Sequence, residues 1–504
     1  MQGKSLSPRI KPYLAKPKIT LRKLGSFTKL SPQAYNDSAN NTSSPNSQVS
    51  FGQSHHNYSN IYKSNSRLTL KIQNPVSSFN ISTHKKLKAM AEKYSPQKSV
   101  KTFQNIPTES LLPLSSSDTA AQFSNYLSRY EVGELCEYET IYYLGLKAHK
   151  IRPNDKLKNK GFDDKETDYL LVLGDHIAYQ YEILEMLGSG SFSQVCKCLD
   201  HKTNKEVAIK VIKSHKRFED QGQVELKILA YLKKYNKTQP TYFVHMLNHF
   251  IFRGHLCVVF ELLSFNLYDL LKANGFKGFS HTLVRRFSLQ VLKGLSFLKE
   301  HKIVHCDLKP ENIILINKQE SLIKIIDFGS SCFENERIYT YIQSRIYRAP
   351  EVILGIPYST GIDMWSLGCI IFELIHGDPL FQGETEEDHL NTIIEVLGFP
   401  PENLLKNASK KNKFFHLDGS VKNTVSTRGK VRVPNSKSLE DKLSTDDFVL
   451  VDFIKSKFYL ECLEWEPEKR MSPEDALCHP WMVEIKKMRM KGGKNPKSPR
   501  IKIP

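Results

Sequence analysis

The sequence reads HCDLKPEN at residues 305–312, DFG at residues 327–329 and APE at residues 349–351. Asp307 and Asn312, both in the first motif, are five positions apart, so one rigid loop could direct both side chains at a single site. A carboxylate can accept a proton, and carboxylate and amide oxygens are ligands that divalent cations prefer. The motifs therefore predict a site that combines a general base with a bound cation.

Phosphoryl transfer is the chemistry that needs this combination. Asp307 is placed to accept the proton of a substrate hydroxyl, while Asn312 and Asp327 would hold Mg²⁺ on the phosphates of ATP. Lys309 lies two residues after Asp307, where its ammonium group would neutralise charge on the transferred phosphoryl group. The order and approximate spacing of the motifs are those of a protein-kinase catalytic region. The alternative is that Asp307 caps a helix and Asp327 begins a turn.

A glycine-containing segment, LGSGSFSQV at residues 187–195, follows a predicted strand at residues 181–186. Gly188 and Gly190 let the backbone approach phosphate groups closely, with N–H groups directed inward. Ser193 stands where the usual Gly-x-Gly-x-x-Gly pattern has its third glycine, which is expected to stiffen the loop. The predicted nucleotide-binding residues of this segment are Leu187, Gly188, Ser189, Gly190, Ser191, Phe192, Ser193, Gln194 and Val195.

A lysine and a glutamate further along the chain complete the predicted phosphate site. VAIK at residues 207–210 ends a second predicted strand and places Lys210 to reach the α- and β-phosphates. Residues 221–234 have the apolar spacing of a helix, and Glu225 lies beside the apolar stripe. Glu225 is therefore the predicted ion-pair partner of Lys210, and Glu219 is disfavoured because it precedes the stripe. A merely solvated lysine is the alternative.

An apolar strand at residues 255–263 leads into a predicted hinge at residues 261–265. Phe260 would close the back of an adenine pocket, and Glu261 and Leu263 would offer backbone groups to the adenine edge. The hinge separates a small β-rich lobe from a larger helical lobe. These patterns predict the α+β class and the bilobal protein-kinase fold.

Several elements outside the site are also predicted. Glu351 and Arg470 are expected to form an ion pair within the large lobe, and residues 398–447 form a polar, lysine-rich insertion. Cys196 and Cys198 alternate along a strand and are expected to be packing residues. The hydrophobic patterns further predict a helix at residues 118–130, a strand at residues 170–173 and a helix at residues 283–299.

Basic residues are concentrated at the two ends of the 504-residue chain. Residues 1–100 contain 16 Lys and Arg against two acidic residues, and residues 486–504 contain eight basic residues and no acidic one, within a net charge of +19. Such tails attract polyanions, and a solvated tail without a fixed partner is an equal alternative. Residues 1–110 lack a period of 2 or 3.6 and are rich in Ser, Asn, Lys and Pro, which predicts disorder.

The composition excludes several classes of protein. The chain has no run of 18 apolar residues, and its nine cysteines are scattered without a Cys-x-x-Cys pair. Because residues 1–30 are basic and interrupted by proline, no signal peptide is expected. We therefore expect a monomer without a transmembrane segment, located in the cytoplasm. Residues 486–497 could act as a nuclear signal, which would add a nuclear location, and a basic tail without such a role is the alternative.

From about residue 130 to residue 481 the chain resembles the dual-specificity tyrosine-regulated kinases (DYRK), within the CMGC group of cyclin-dependent and MAP kinases. The resemblance rests on Cys306, where most kinases have arginine, and on the tyrosine pair in IYTYIQSRIYR at residues 338–348. Residues 163–169 resemble the acidic box that precedes the kinase domain in this family. Residues 127–150 are similar to the accessory region of class II members.

The resemblance implies a particular switch. In this family the second tyrosine, here Tyr341, is autophosphorylated during maturation, and two arginines, here Arg345 and Arg348, hold its phosphate. The mature enzyme phosphorylates serine and threonine of protein substrates, often before proline and with an arginine upstream. The implied organisation is a disordered basic region at residues 1–115, an accessory region and acidic box at 116–176, a kinase domain at 181–481 and a basic tail at 485–504.

Three alternatives remain at this stage. A kinase-shaped scaffold without catalysis would be favoured by loss of a catalytic residue, but Lys210, Glu225, Asp307, Asn312 and Asp327 are all present. An anchoring or nucleic-acid-associated protein would depend mainly on the basic tails. A sister kinase without the tyrosine switch is disfavoured by the tyrosine pair.

Overall fold

The computed structural model describes residues 109–236, 241–337, 339–426, 428–438 and 457–482. Most of the predicted disordered region at residues 1–115 and the whole basic tail at 485–504 lie outside the described residues. The strands of the described residues are β1 (Leu114–Ser115), β2 (Thr140–Ile141), β3 (His176–Ile177), β4 (Tyr181–Ser189), β5 (Ser193–Asp200), β6 (Lys205–Ile212), β7 (Met246–Phe252), β8 (His255–Glu261), β9 (Ile303–Val304), β10 (Ile313–Leu315), β11 (Ile323–Ile325) and β12 (Cys332–Phe333).

Most of the helices follow β8 along the chain. Within the described ranges, none of them is both long and apolar enough to cross a membrane. The helices predicted at residues 221–234 and 283–299 are confirmed as the longer α3 and α5 of the following list. The helices are α1 (Ser116–Phe123), α2 (Arg129–Glu134), α3 (Lys216–Tyr235), α4 (Leu267–Ala273), α5 (His281–Glu300), α6 (Pro350–Leu354), α7 (Gly361–His376), α8 (Glu386–Leu397), α9 (Glu402–Lys406), α10 (Lys411–Phe414), α11 (Lys457–Cys462) and α12 (Pro473–Cys478).

The small lobe contains one antiparallel sheet with the strand order β3-β4-β5-β6-β8-β7. The strand predicted at residues 181–186 is confirmed as β4, which continues to Ser189. The expectation that Lys210 ends a strand is wrong. Lys210 lies inside β6, opposite Val195 on one side and Val258 on the other, because both neighbouring strands extend the pairing beyond it.

The large lobe is built around α5 and the buried α7. The predicted ion pair between Glu351 and Arg470 is confirmed, with N–O distances of 2.7 and 2.9 Å, and the guanidinium group lies 5.3 Å from the Trp365 ring centroid. The insertion predicted at residues 398–447 contains α9 and α10 in its described part. Arg432 attaches this insertion to two carboxylates of α8.

Two expectations for the region before the sheet are wrong. The helix predicted at residues 118–130 is two helices, α1 and α2, because Ser128 forms a reciprocal cap with Glu131: each backbone N–H donates to the other side chain, at 2.8 and 3.2 Å. Residues 170–173 form no strand. The Gly174 N–H, which follows them, donates to a carbonyl of β4 at 2.8 Å.

The accessory region packs against the back of the small-lobe sheet. Phe123 belongs to the same buried cluster as Cys196 and Cys198 of β5, which are packing residues as the sequence predicts. Arg253, in the turn between β7 and β8, donates to the carboxylate of Glu134 at the end of α2 at 2.9 Å. The accessory region and the sheet therefore share one hydrophobic core.

Candidate active site

A buried carboxylate holds the backbone of the loop that follows β9. Asp363 of α7 accepts the backbone N–H groups of His305 and Cys306 at 2.8 and 3.1 Å. Burial raises the pKa of Asp363 to about 6. Cys306 has a positive φ of 66°, a conformation that is uncommon outside glycine. The hydrogen bonds to Asp363 hold this conformation and so determine how the following residue enters the site.

Asp307 and the other predicted catalytic residues come together directly after this turn. Asp307 Oδ2 accepts from Lys309 Nζ at 2.7 Å, and the Asn312 amide donates to the Asp307 carbonyl at 2.8 Å. Asp307 Oδ1 accepts both the backbone N–H and the hydroxyl of Ser344, at 3.0 and 2.8 Å. Ser344 is absent from the sequence prediction. Its only signal is a hydroxyl side chain between the tyrosine pair and the APE motif.

Lys210 occupies the centre of a buried group of three charges. Its Nζ lies 2.8 and 2.9 Å from the two carboxylate oxygens of Glu225 and 2.8 Å from Asp327 Oδ1. Burial alone would lower the pKa of Lys210, but the two carboxylates outweigh it and raise that pKa. Burial likewise opposes ionisation of Asp327, yet the ammonium group lowers its pKa, whereas burial raises the pKa of Glu225.

The glycine-containing loop joins β4 to β5 above these charges. Residues 187–191 are exposed, whereas Ser193 is buried as the first residue of β5, where its carbonyl accepts the Gly190 N–H at 2.8 Å. The ring of Phe192 folds back beneath the loop, 4.9 Å from Lys210 Nζ. Gln194 and Val195 follow in β5 and are half-buried. The position of the third glycine thus belongs to the sheet.

The predicted hinge lies where β8 ends. Phe260 is buried within β8, and Glu261 is the last residue of the strand, followed by Leu263 in the connection to α4. The Glu261 carboxylate forms an ion pair with Lys324 of β11 and accepts the His245 N–H at 2.7 Å. These contacts join the end of the small-lobe sheet to a strand of the large lobe.

The predicted regulatory residues lie in the segment before α6. Tyr341 is 66% exposed, and the guanidinium carbon of Arg348 lies 4.1 Å from its ring centroid. A hydrogen bond from Arg348 lowers the pKa of Tyr341, and the charge of Arg345 acts in the same direction. Arg348 also contacts Glu386 at 3.2 Å, and Arg345 donates to the Glu384 carbonyl. The structure thus brings the tyrosine and both arginines together.

Gln343 anchors this segment to the catalytic loop and was missed by the sequence analysis. It is buried with a positive φ of 62°, and its N–H donates to the Cys306 carbonyl at 2.9 Å. Its side chain donates to Ser366 Oγ and accepts the Ala349 N–H, both at 2.9 Å. Its own carbonyl accepts from Arg348 at 2.9 Å. No pattern in the sequence distinguishes it from its neighbours.

Acidic side chains collect beside the catalytic loop. Glu311 is half-buried, its Oε2 has no hydrogen-bond partner among the described residues, and burial raises its pKa. Glu373 of α7 is nearly fully buried, accepts the Tyr347 hydroxyl at 2.6 Å, and has a pKa raised to about 7 by burial. Asp269 adds further negative charge near Glu311. Glu311 therefore keeps an oxygen without a hydrogen-bond partner among the described residues, although the charge of Lys309 acts to lower its pKa.

Comparisons with known proteins agree with this geometry. The family model described as "Protein kinase domain" matches residues 181–482. Dual specificity tyrosine-phosphorylation-regulated kinase 4 of Homo sapiens is 49% identical over 390 residues, which cover 77% of this chain and 74% of that protein.

Two further relatives come from other organisms. Dual specificity tyrosine-phosphorylation-regulated kinase 2 of Drosophila melanogaster is 47% identical over 374 residues, covering 73% of this chain and 51% of that protein. The probable serine/threonine-protein kinase dyrk2 of Dictyostelium discoideum is 47% identical over 366 residues, covering 72% of this chain and 39% of that protein. The chain spans about half or less of these two relatives. It belongs to the dual-specificity tyrosine-phosphorylation-regulated (DYRK) family of protein kinases.

Proposed function

We propose that this protein kinase uses ATP and Mg²⁺ to autophosphorylate Tyr341 during maturation and afterwards phosphorylates serine and threonine in protein substrates. The observation that carries the proposal is that the catalytic groups are already assembled. Asp307 is held by Lys309 at 2.7 Å, and Lys210 contacts Asp327 at 2.8 Å. The side chains that hold Asp307 and Lys210 are therefore already in place for these two residues to act as proton acceptor and phosphate-binding cation.

In the proposed reaction, Asp307 orients the substrate hydroxyl and accepts its proton. Ser344 and Lys309 fix the two oxygens of this carboxylate, so that one of them faces the hydroxyl with little loss of freedom. The amide oxygen of Asn312 and the carboxylate of Asp327 are suitable ligands for Mg²⁺, which when bound would neutralise charge on the nucleotide phosphates. Catalysis would depend on positioning and electrostatics.

The surroundings of Tyr341 support the proposed autophosphorylation. A phosphate on this residue would add about −1.5 to −2 charges. Arg348 already contacts the ring, and the Nε of Arg345 has no hydrogen-bond partner in the part of the chain that the structure describes. Two guanidinium groups can bind a phosphate bidentately. Because Cys306 cannot bind a phosphate, we propose that this single modification leaves the enzyme permanently active.

We further infer a preference for proline directly after the phosphorylated residue. Ser344 contacts Asp307, so the substrate backbone beyond the reacting hydroxyl must pass near Ser344 and Gln343. The Gln343 carbonyl already accepts from Arg348 at 2.9 Å, which directs it toward that guanidinium and leaves it poorly placed for a substrate N–H. A substrate N–H placed there would lose its hydrogen bond, and proline has no N–H to lose.

The acidic pocket supports the proposed preference for an arginine upstream. Glu311 is in the same loop as Asp307, and its Oε2 has no hydrogen-bond partner within the described ranges. A substrate guanidinium would supply both the hydrogen bond and the positive charge.

Phosphosite mass spectrometry on protein expressed in bacteria tests the central proposal. Wild type is compared with Asp307→Asn, which cannot accept the hydroxyl proton. Phosphate on Tyr341 in wild type alone is the expected result. Phosphate on serines and threonines without Tyr341 would refute the switch but retain the kinase. No phosphate in either protein would favour a scaffold.

A peptide series tests the substrate preferences. The peptides differ only at the residue directly after the phosphorylated serine. This residue is proline, alanine or N-methylalanine. If the missing N–H is the cause, N-methylalanine is phosphorylated nearly as well as proline, and alanine several-fold less well. Preference for proline alone would point to ring packing instead. Replacing the upstream arginine of the peptide by alanine should lower its phosphorylation by wild type but not by the Glu311→Gln variant.

The basic tails lie outside the described residues, and we propose that they bind a polyanion while the kinase remains monomeric. Binding of the full chain to nucleic acid or anionic vesicles should fall steeply with salt. A chain ending at residue 485 should bind more weakly. No binding at low salt would refute this part of the proposal.

A further inference from the structure

Helix α3 contacts the segment that follows β11 along more than two turns. At its N-terminal end, the Gln221 amide donates to the Gly329 carbonyl at 2.6 Å. One turn later, Glu225 reaches Asp327 through Lys210. Further along the helix, Tyr231 packs edge-on against Phe333, with ring centroids 5.5 Å apart. The helix that carries Glu225 is therefore attached directly to the segment that carries Asp327.

The Gln221 contact has a special position within this attachment. Gly329 lies two residues after Asp327, and its N–H faces Asp327 Oδ1 at 3.4 Å. Asp327 has a positive φ of 63°, so the direction of the Gly329 carbonyl depends on this uncommon backbone conformation. Gln221 and Glu225 are four positions apart and share one face of the helix. Gln221 therefore contacts the backbone of this segment, and Glu225 is linked to its carboxylate through Lys210.

Gly222 brings the helix close enough for this contact. A Cβ at this position would lie 2.6 Å from Ile212 Cδ1 and 2.8 Å from Leu256 Cδ2. An added Cβ would press on these two buried side chains, so Gly222 lets the first half of α3 lie close to β6 and β8. The turn from Gln221 to Glu225 is thus held between the sheet on one side and the Asp327 segment on the other.

We propose that Gln221 is a positioning residue for the phosphoryl transfer. Its hydrogen bond to the Gly329 carbonyl keeps α3 in the position where Glu225 holds Lys210, without help from a phosphate-binding arginine in the catalytic loop, since that position is Cys306. This inference rests on the proposed function, because it assigns Gln221 a part in the same reaction. The Gln221 side chain bonds the Gly329 carbonyl and acts through Glu225.

The test is a double-mutant cycle. Gln221→Met keeps the length of the side chain and removes the donor, and Glu225→Gln removes the charge through which Gln221 acts. The matched control is Gln223→Ala, two positions along the helix and therefore on another face. All variants are compared at equal phosphorylation of Tyr341. We expect Gln221→Met to lower kcat/KM for ATP about 3- to 10-fold, from the usual free energy of one hydrogen bond. In the Glu225→Gln background it should have almost no further effect.

A merely structural role would give a different pattern. The losses would then multiply in the double variant, because independent destabilisations are additive in free energy. That result, or unchanged kcat/KM in Gln221→Met, would overturn the proposal. Calorimetric binding of Mg²⁺-ADP supplies a readout without activity: Gln221→Met should bind more weakly than wild type and Gln223→Ala equally well. If Gln221→Met does not fold, Gln221→Glu replaces it. An inactive wild type would refute the proposed function, whereas equal nucleotide binding would refute this inference alone.

Discussion

Two regions of this molecule bury several charged groups, and they differ in how far hydrogen bonds and opposite charges compensate those groups. At the junction of the accessory region with the sheet, Arg253 is 3% exposed and donates to Glu134 at 2.9 and 3.0 Å and to the Tyr169 hydroxyl at 2.9 Å. Glu134 also accepts the Tyr179 hydroxyl at 2.7 Å. At the catalytic cleft, by contrast, Glu311 keeps an oxygen with no partner among the described residues.

The difference separates a structural cluster from a site that awaits a ligand. A buried charge is tolerated when hydrogen bonds and an opposite charge compensate it, and removing one partner then costs several kcal/mol of stability. An uncompensated acidic group costs stability and is retained where a substrate supplies the missing partner. Breaking the charge cluster at the junction should therefore lower stability without changing chemistry, whereas removing a catalytic side chain in the cleft should change chemistry with little loss of stability.

The largest expected effect is on catalysis in Asp307→Asn. This change removes the proposed proton acceptor but keeps the shape of the side chain, so kcat should fall by about 10²- to 10⁴-fold. Because Asp307 is partly exposed, the free energy of unfolding should change by less than about 1 kcal/mol. Peptide phosphorylation and urea denaturation measure the two quantities, with Asp418→Asn at an exposed position as the control. A large loss of stability that accompanies the loss of kcat would contradict the distinction between the regions.

Arg253→Met is expected to have the opposite signature. It leaves Glu134 buried without its cation, which should lower the free energy of unfolding by about 3–5 kcal/mol. The kcat of the folded fraction should stay near that of wild type, because Arg253 contacts no catalytic residue. Lys299→Met, which breaks the exposed pair with Glu474, serves as control and should cost no more than about 1 kcal/mol.

These two clusters also show where sequence reasoning succeeds. Asp307, Lys309 and Asn312 could be assigned because their spacing within one loop largely determines their geometry. Ser344 meets Asp307 across 37 positions, and Arg253 meets Glu134 across 119. Such contacts depend on how the lobes fold, and no local pattern encodes them.

The elements show the same limit. Hydrophobic periodicity correctly indicates α3, β4 and α5, which cover their apolar faces within one lobe. The helix expected at residues 118–130 is interrupted because the Ser128 cap overrides a continuous helical pattern. Lys210 is moved from a strand end to a strand interior by pairing with both neighbours of β6. The first case is a local cap three positions long that hydrophobic periodicity does not register, and only the second depends on tertiary partners.

A pair of glycines tests the packing beside the cleft. Gly222→Ala would place a Cβ 2.6 Å from Ile212, which should lower the free energy of unfolding by about 1–3 kcal/mol. Gly133→Ala is the matched control, because no atom lies within 4 Å of its added Cβ in α2. There the loss of chain entropy in the unfolded state should stabilise by about 0.4–1 kcal/mol. Denaturation of both variants checks the prediction, and equal signs would contradict it.

An effect similar in size to that of Gly222→Ala concerns the cost of an acidic group in the cleft. Burial raises the pKa of Glu373 from 4.5 to about 7, with Glu311 and Asp378 acting in the same direction. Between these two values the unfolded chain has lost its proton at this position and the folded chain retains it. Stability therefore falls as the pH rises from about 4.5 to about 7, and the penalty is complete above that range.

Glu373→Gln removes this penalty and keeps an oxygen that can accept the Tyr347 hydroxyl. At pH 8 the variant should be more stable than wild type by about 1–3 kcal/mol, and the difference should vanish near pH 4.5. Glu300→Gln, at an exposed position, is the matched control. Urea denaturation at several pH values decides the matter. A variant less stable than wild type at pH 8 would mean that the Glu373 charge is compensated, and that the cleft handles its acidic groups as the junction does.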